Sequence, residues 1–167
     1  MGVSHSAAIT STGEVFTSGL GQEGQLGYVC DSYTHQHRVE AFDRGNPAIK
    51  TSCGDCYTLV LTRHHKIFAF GKGAHGRLGV GDEDNHYEPT LISSLANEEI
   101  VEICAGCRHA GAVSASGKLF TWGFNFYEQL GIGEGDRDFN TPTLVENIDN
   151  VKKLAFGYFH SGVLISN

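Results

Sequence analysis

One stretch of the chain occurs three times without a gap. Residues 2–27 read GVSHSAAITSTGEVFTSGLGQEGQLG, residues 54–79 read GDCYTLVLTRHHKIFAFGKGAHGRLG, and residues 106–131 read GCRHAGAVSASGKLFTWGFNFYEQLG. Gly2, Gly54 and Gly106 are 52 apart, and so are Gly27, Gly79 and Gly131. A fourth copy opens at Gly157, 51 residues further on, as GYFHSGVLISN. A fixed period of this length constrains the fold more than any other feature. Each repeat is one supersecondary unit that buries its apolar face only against its neighbours.

Inside the repeat the pattern is that of short strands. Ala7/Ile9, Leu59/Leu61 and Gly111/Val113 begin one strand; Val15-Phe16-Thr17, Ile67-Phe68-Ala69 and Leu119-Phe120-Thr121 form the next. Gly13 and Gly117 mark the turn between them, and His64-His65 stands there in the second copy. Two such runs around a tight turn predict a hairpin. Phe16, Phe68 and Phe120 are expected to fill one packing slot. Gly19, Gly71 and Gly123 then lead into a loop closed by Gln25-Leu26-Gly27, Arg77-Leu78-Gly79 or Gln129-Leu130-Gly131, whose Leu is expected to plug the core. A third strand is predicted near Val39, Leu91 and Leu144, with Pro89 and Pro142 at its entrance. A fourth runs through 48–52, 100–104 and 151–155. Four strands in about 52 residues make one propeller blade. No helix is predicted, and 96–99 reads as a linker.

Composition agrees with a globular all-β chain. Hydrophobic residues are 40% and charged residues 19% of 167, with 22 Gly and 3 Pro, so the chain is neither disordered nor short of a core. No apolar run approaches the roughly 18 residues of a membrane span. The net charge is −7, and Lys152-Lys153 is the only adjacent basic pair, which argues against direct nucleic-acid or anionic-membrane binding. No secretory signal is read, and a cytoplasmic or nuclear setting is expected. Gly2 with Ser6 formally matches a myristoylation signal, but both occupy repeat positions also held by Gly54/Thr58 and Gly157/Ser161. The five cysteines (Cys30, Cys53, Cys56, Cys104, Cys107) read as reduced thiols.

The string G-x-x-H-[S/T/A], then G-x-[VIL]-[FY]-x-[WFS]-G, then G-[QR]-L-G closely resembles the repeat of the regulator-of-chromosome-condensation family. His5, His109 and His160 match its G-x-x-H, and Tyr57 departs from it; Trp122-Gly123 matches its W-G, and Phe70-Gly71 and Ser18-Gly19 are looser. The resemblance covers the entire chain. It implies an all-β fold of four-stranded antiparallel blades, here about three repeats of a nominally seven-bladed ring. The chain is read as one propeller region, with repeats at 1–53, 54–105 and 106–156 and a stub at 157–167. Residues 1–53 lack the strand expected before Gly2, and open blade edges invite association between copies.

Chemistry-bearing patterns are few. Cys53-Gly-Asp-Cys56 and Cys104-Ala-Gly-Cys107 have zinc-like spacing, but the interval between them far exceeds the roughly 15–20 residues of a compact site. The two pairs are also out of register with the repeat, so they read as small residues at crowded turns. Gly19, Gly21 and Gly24 form a G-x-G-x-x-G that recurs at 71–76, without the helix a dinucleotide site requires. The recurring histidines are expected to bond between strands or blades, because an active site needs one constellation and not one per blade. No metal, cofactor or catalytic residue is expected, and the chain is read as no enzyme.

The variable loops are the functional candidates. Asp82, Glu83 and Asp84 of the second copy correspond to Glu134, Asp136 and Asp138 of the third, with Asp31 in the first. Tyr33, His86, Tyr87 and Phe139 lie among them. Neighbouring blades should bring these into one acidic, aromatic-studded rim that steers a basic protein partner. The expected function is therefore a scaffold for protein–protein interaction or regulation. The resemblance implies an alternative, guanine-nucleotide exchange on a small Ras-like GTPase of the Ran type. Plant ultraviolet photoreceptors share the fold and use G-W-R-H-T; Gly106-Cys-Arg-His-Ala110 lacks that Trp.

Overall fold

A computed structural model describes residues 2–30, 33–133, 135 and 137–166. Its described elements are thirteen strands: β1 His5–Ile9, β2 Val15–Leu20, β3 Tyr33–Val39, β4 Ala48–Cys53, β5 Tyr57–Thr62, β6 Ile67–Gly71, β7 His86–Leu91, β8 Ile100–Ala105, β9 His109–Ser114, β10 Leu119–Gly123, β11 Phe139–Leu144, β12 Val151–Phe156 and β13 Ser161–Ile165. They form four antiparallel sheets in the orders β1-β2-β3, β4-β5-β6-β7, β8-β9-β10-β11 and β12-β13. Each complete sheet thus takes its innermost strand from the end of one repeat and its other three from the next. The chain is an arc of propeller blades.

The middle sheet shows why the repeat looks as it does. Alternate residues of a strand face opposite sides. Leu59, Leu61, Ile67 and Ala69, with Leu78 of the following loop, join one core with Ile100, Ile103, Ala110, Ala112, Phe120 and Trp122 of the third blade. Val60 and Phe70, with Phe68 beside them, join another with Val15, Val39 and Phe42 of the first. A sheet covered on both faces explains why every residue of β5 is buried. The Phe68 and Phe120 rings sit in one slot, each facing the preceding blade. Phe16 faces the side of the first sheet that no described blade covers, and it is half-buried.

The outermost strands depart from expectation. β3, β7 and β11 begin at Tyr33, His86 and Phe139, inside segments read from sequence as loops. Their polar composition hid them, because an edge strand needs no buried face. Pro89 and Pro142 stand mid-strand instead of at the entrance. Register shifts leave both unpaired: Gly71 pairs His86 and Ala69 pairs Thr90, while Gly123 pairs Phe139 and Thr121 pairs Thr143. A bulge on an edge strand is where a residue without an N–H fits. Two 3-10 turns, Ala74–Gly76 and Ser93–Leu95, were also not predicted; Leu95 plugs the core between the second and third blades.

Candidate functional site

The repeat motif builds the joints between blades. At the first joint His5 Nε2 lies 2.8 Å from Thr58 Oγ1, and that hydroxyl donates to the Gln25 carbonyl at 2.9 Å. At the third joint His109 Nε2 lies 3.0 Å from Ser161 Oγ, which donates to the Gln129 carbonyl at 2.7 Å. Each hydroxyl has one proton, already committed to a carbonyl, so each histidine must donate from Nε2. Burial pushes both imidazoles down to a pKa of about 4, which keeps them neutral. The histidine, the hydroxyl residue of the next copy and the Gln of Gln-Leu-Gly are thus one relay.

The second joint solves the same problem differently. Tyr57 replaces the histidine, and Ala110 replaces the hydroxyl residue. Tyr57 now brings its own hydroxyl and donates to the His109 carbonyl at 2.6 Å, with the Gly106 carbonyl at 3.1 Å. Arg77 replaces Gln, and its carbonyl accepts from Trp122 Nε1 at 3.0 Å. The Tyr57 and Ala110 departures from the repeat are therefore complementary.

The repeat glycines are needed for close approach. A Cβ on Gly54 would lie 2.4 Å from the Gly106 carbonyl oxygen and 2.0 Å from the Tyr57 ring; one on Gly2 would lie 2.6 Å from the Gly54 carbonyl oxygen. Gly2 thus has a packing role at the inner end of its blade. Cys56 and Cys107 lie at the same inner turns. Cys56 Sγ donates to Asp55 Oδ1 at 3.3 Å and Cys107 Sγ to Asp55 Oδ2 at 3.9 Å. Burial and the Asp55 carboxylate push the Cys56 thiol up to about 11. Among the described residues no group of three or more His, Cys, Asp or Glu is placed to hold a metal ion.

At the outer face these joints carry the loops of successive blades against one another. Glu23 of the first loop bonds Lys72 at 2.8 Å and Asn85 at 2.7 Å. His75 of the second loop meets Asp138 at 2.7 Å, and the Gly81 amide donates to the Asn140 carbonyl at 3.0 Å. Asp82 is held by His86 Nε2 at 3.0 Å and accepts the Asp84 amide at 3.1 Å. Asp138 also accepts the Asn125 amide at 3.0 Å. Three expected rim residues, Asp82, His86 and Asp138, therefore fix the loops. Glu83, Asp84 and Tyr87 project outward as exposed groups. Phe139 carries the Arg137 guanidinium 4.7 Å above its ring. Asp31, Glu134 and Asp136 lie outside the described residues, and Tyr33 is described in its backbone alone.

The structure adds an aromatic ridge that the sequence reading passed over. Phe126, Tyr127, Tyr158 and Phe159 are exposed at 56%, 58%, 53% and 39%. Their rings touch in series: Phe126–Tyr127 at 5.2 Å, Tyr127–Phe159 at 4.9 Å and Phe159–Tyr158 at 4.4 Å. Phe124 joins the ridge to His75 at 5.0 Å, so carboxylates and aromatics form one continuous rim. The signal was present in Phe124-Asn-Phe126-Tyr127, where the other copies carry Leu20-Gly-Gln-Glu23 and Lys72-Gly-Ala-His75, with no Phe or Tyr.

Comparison with known proteins fits this architecture. The chain is 32% identical over 167 residues to the probable E3 ubiquitin-protein ligase HERC4 of Rattus norvegicus, covering 98% of this chain and 16% of that protein. Human WBSCR16 superposes with a TM-score of 0.90 at 28% identity, over 99% of this chain and 43% of that one. Prp20p of Saccharomyces cerevisiae, whose structure was reported with its binding to Gsp1p and histones, superposes at 0.88 with 22% identity, over 100% and 43%. The chain therefore spans about 16% of HERC4 and less than half of the other two proteins. The HERC4 match corrects one expectation. Repeats of this type stand inside ligases, so their lack of a catalytic cluster does not make the protein that carries them a non-enzyme. The ligase activity itself belongs to HERC4, of which the matched region is a small part. The family model for the regulator of chromosome condensation (RCC1) repeat matches residues 12–61, 64–113 and 116–164, and the chain belongs to that repeat family.

Proposed function

We propose that the chain is a regulatory interaction module that recruits a basic segment of a partner protein to its loop rim. One observation carries the reading: the loop that exposes the Glu83 and Asp84 carboxylates also carries His75, which meets Asp138 and Phe124 at the start of an exposed aromatic ridge. Carboxylates steer and orient a basic partner, and clustered aromatics supply the desolvated anchor. Histones, named with Prp20p, are the first basic probe to use. Purified core histones should bind in a salt-sensitive manner. The double variant Glu83→Gln/Asp84→Asn should weaken binding several-fold and flatten its salt dependence. Tyr127→Ala should weaken it about tenfold or more with the salt dependence kept. Unchanged affinity in both variants would sink the reading.

Guanine-nucleotide exchange on a small Ras-like GTPase is the second reading, supported by family membership. The discriminating assay is release of a fluorescent guanine nucleotide from such a GTPase with added chain. A complex that leaves release unchanged favours recruitment; accelerated release favours exchange. A cytoplasmic or nuclear setting goes with either reading.

A further inference from the structure

At the end of the blades opposite the loop rim, the second copy departs from the repeat. The turn between β5 and β6 reads Thr62-Arg63-His64-His65-Lys66, where the other copies read Thr10-Ser11-Thr12-Gly13-Glu14 and Ser114-Ala115-Ser116-Gly117-Lys118. This turn needs a left-handed residue, and Gly13 and Gly117 supply it at φ +89° and +84°. His65 takes the same conformation at φ +60°, at a cost that glycine does not bear. Its own side chain holds it there, with Nδ1 donating to the Ile100 carbonyl at 2.9 Å. The fold therefore keeps a strained, basic turn where its other copies are small and neutral up to the last residue.

The connector from β3 to β4 lies alongside this turn. The Arg63 amide donates to the Pro47 carbonyl at 2.9 Å, and His64 Nε2 donates to the Gly45 carbonyl at 3.2 Å. Residues 44–47 and 63–64 thus run side by side across the first joint, which brings Arg44 beside the turn. Arg44, Arg63 and His64 are all exposed. The carboxylates at this end of the blades are already engaged. Asp43 Oδ1 accepts the Gly45 and Asn46 amides at 2.8 and 3.2 Å. Glu14 and Glu40 each hold Arg38 at 3.0 Å, Glu98 holds Lys118 at 3.2 Å, and Glu99 lies 3.7 Å from His65. Among the described residues neither Arg44 nor Arg63 has a carboxylate at ion-pair distance. A chain of net charge −7 therefore carries two exposed guanidiniums on adjacent segments, with no acid spent on either.

We propose that Arg44, Arg63 and His64 form a docking site for a phosphoserine or phosphothreonine in a segment of a partner protein. A phosphate monoester carries about −1.5 to −2 charge near pH 7 and three strong acceptor oxygens. Guanidinium forks match it with paired N–H donors, and arginine clusters are a recurring means of reading such a group. The patch is compact. His65 and Lys66, next along the turn, are spent on the Ile100 and Ala96 carbonyls, so no basic stripe continues from it. A small two-arginine patch suits one dianionic group better than the long run of singly charged phosphates in a nucleic acid. Both contributing segments lie within the first joint, and the site stands whether or not the rim recruits a basic partner.

The probe is a blocked peptide, Ala-Gly-phosphoserine-Gly-Ala, titrated into the isotope-labelled chain by NMR beside its unphosphorylated twin. The expected result is saturable binding with a midpoint below about 1 mM, amide shifts at Gly45, Asn46, Arg63 and His64, and no shifts with the twin. Arg44→Gln and Arg63→Gln should each weaken binding several-fold and together at least tenfold. Both side chains are exposed, so these variants should fold, which the unchanged spectrum of the inner strands checks. Arg63→Lys keeps the charge but loses the fork and should fall between parent and Arg63→Gln. No saturation, equal binding of the unphosphorylated twin, parent-like affinity in the double variant, or shifts confined to the loop rim would each overturn the proposal. So would tighter binding of single-stranded oligothymidylate at the same residues, which would make the patch a nucleic-acid contact.

Discussion

At the scale of single residues the joints make predictions with a sign. His5 and His109 have folded pKa values of about 4 against an ordinary 6.5. Between those values the unfolded chain binds more protons, so stability rises with pH there. Above 6.5 both states carry neutral imidazoles and the contribution is complete. It is lost as pH falls toward 4, at most about 3 kcal/mol per histidine. Chemical denaturation at pH 7.5, 6 and 4.5 should show the decline, and replacing both histidines by Gln should flatten it; a pH-independent midpoint in the parent chain would contradict the assignment. Thr58→Val leaves the buried Gln25 carbonyl and His5 Nε2 without their shared partner and should cost about 1–3 kcal/mol. Tyr57→Phe should cost a similar amount, read from urea midpoints, because its hydroxyl serves two carbonyls.

At the scale of elements, the repeat period predicted the inner strands well and the outer strands poorly. β5, β6, β9 and β10 are buried on both faces, so their apolar runs are visible in any single copy. β3, β7 and β11 are polar edge strands with bulges, and a sequence such as HYEPTL carries no period to read. The relay was also only half legible. His5, Thr58 and Gln25 are recognisable as repeat positions, but their convergence across two copies appears only when the blades are stacked. Gly54 is a sensitive point of the inner turns. An added Cβ would collide with both the Tyr57 ring and the Gly106 carbonyl, so Gly54→Ala should destabilise by about 3 kcal/mol or more. Thermal unfolding measures this directly; a Tm within a degree or two of the parent would show that the inner turns adjust freely.

At the scale of the whole molecule, the recurring residues hold the blades in place and the residues that do not recur form the rim. Gly, His, Thr or Ser and Leu-Gly repeat because every joint poses the same packing problem. Glu83, Asp84, Phe126, Tyr127, Tyr158 and Phe159 stand apart from that pattern and are exposed. Of the acidic residues picked out by charge and register, Glu83 and Asp84 are exposed, while Asp82 and Asp138 are bonded within the loops. The aromatic half became visible only when the third loop and the turn after Gly157 were brought within ring contact. The most direct test is amide hydrogen exchange of the chain with and without saturating core histones. Recruitment to the rim predicts slowed exchange at 82–87, 124–128 and 157–160, with the inner strands unchanged. Protection that falls on β1 or the outer strand edges, with those three segments unaffected, would contradict it.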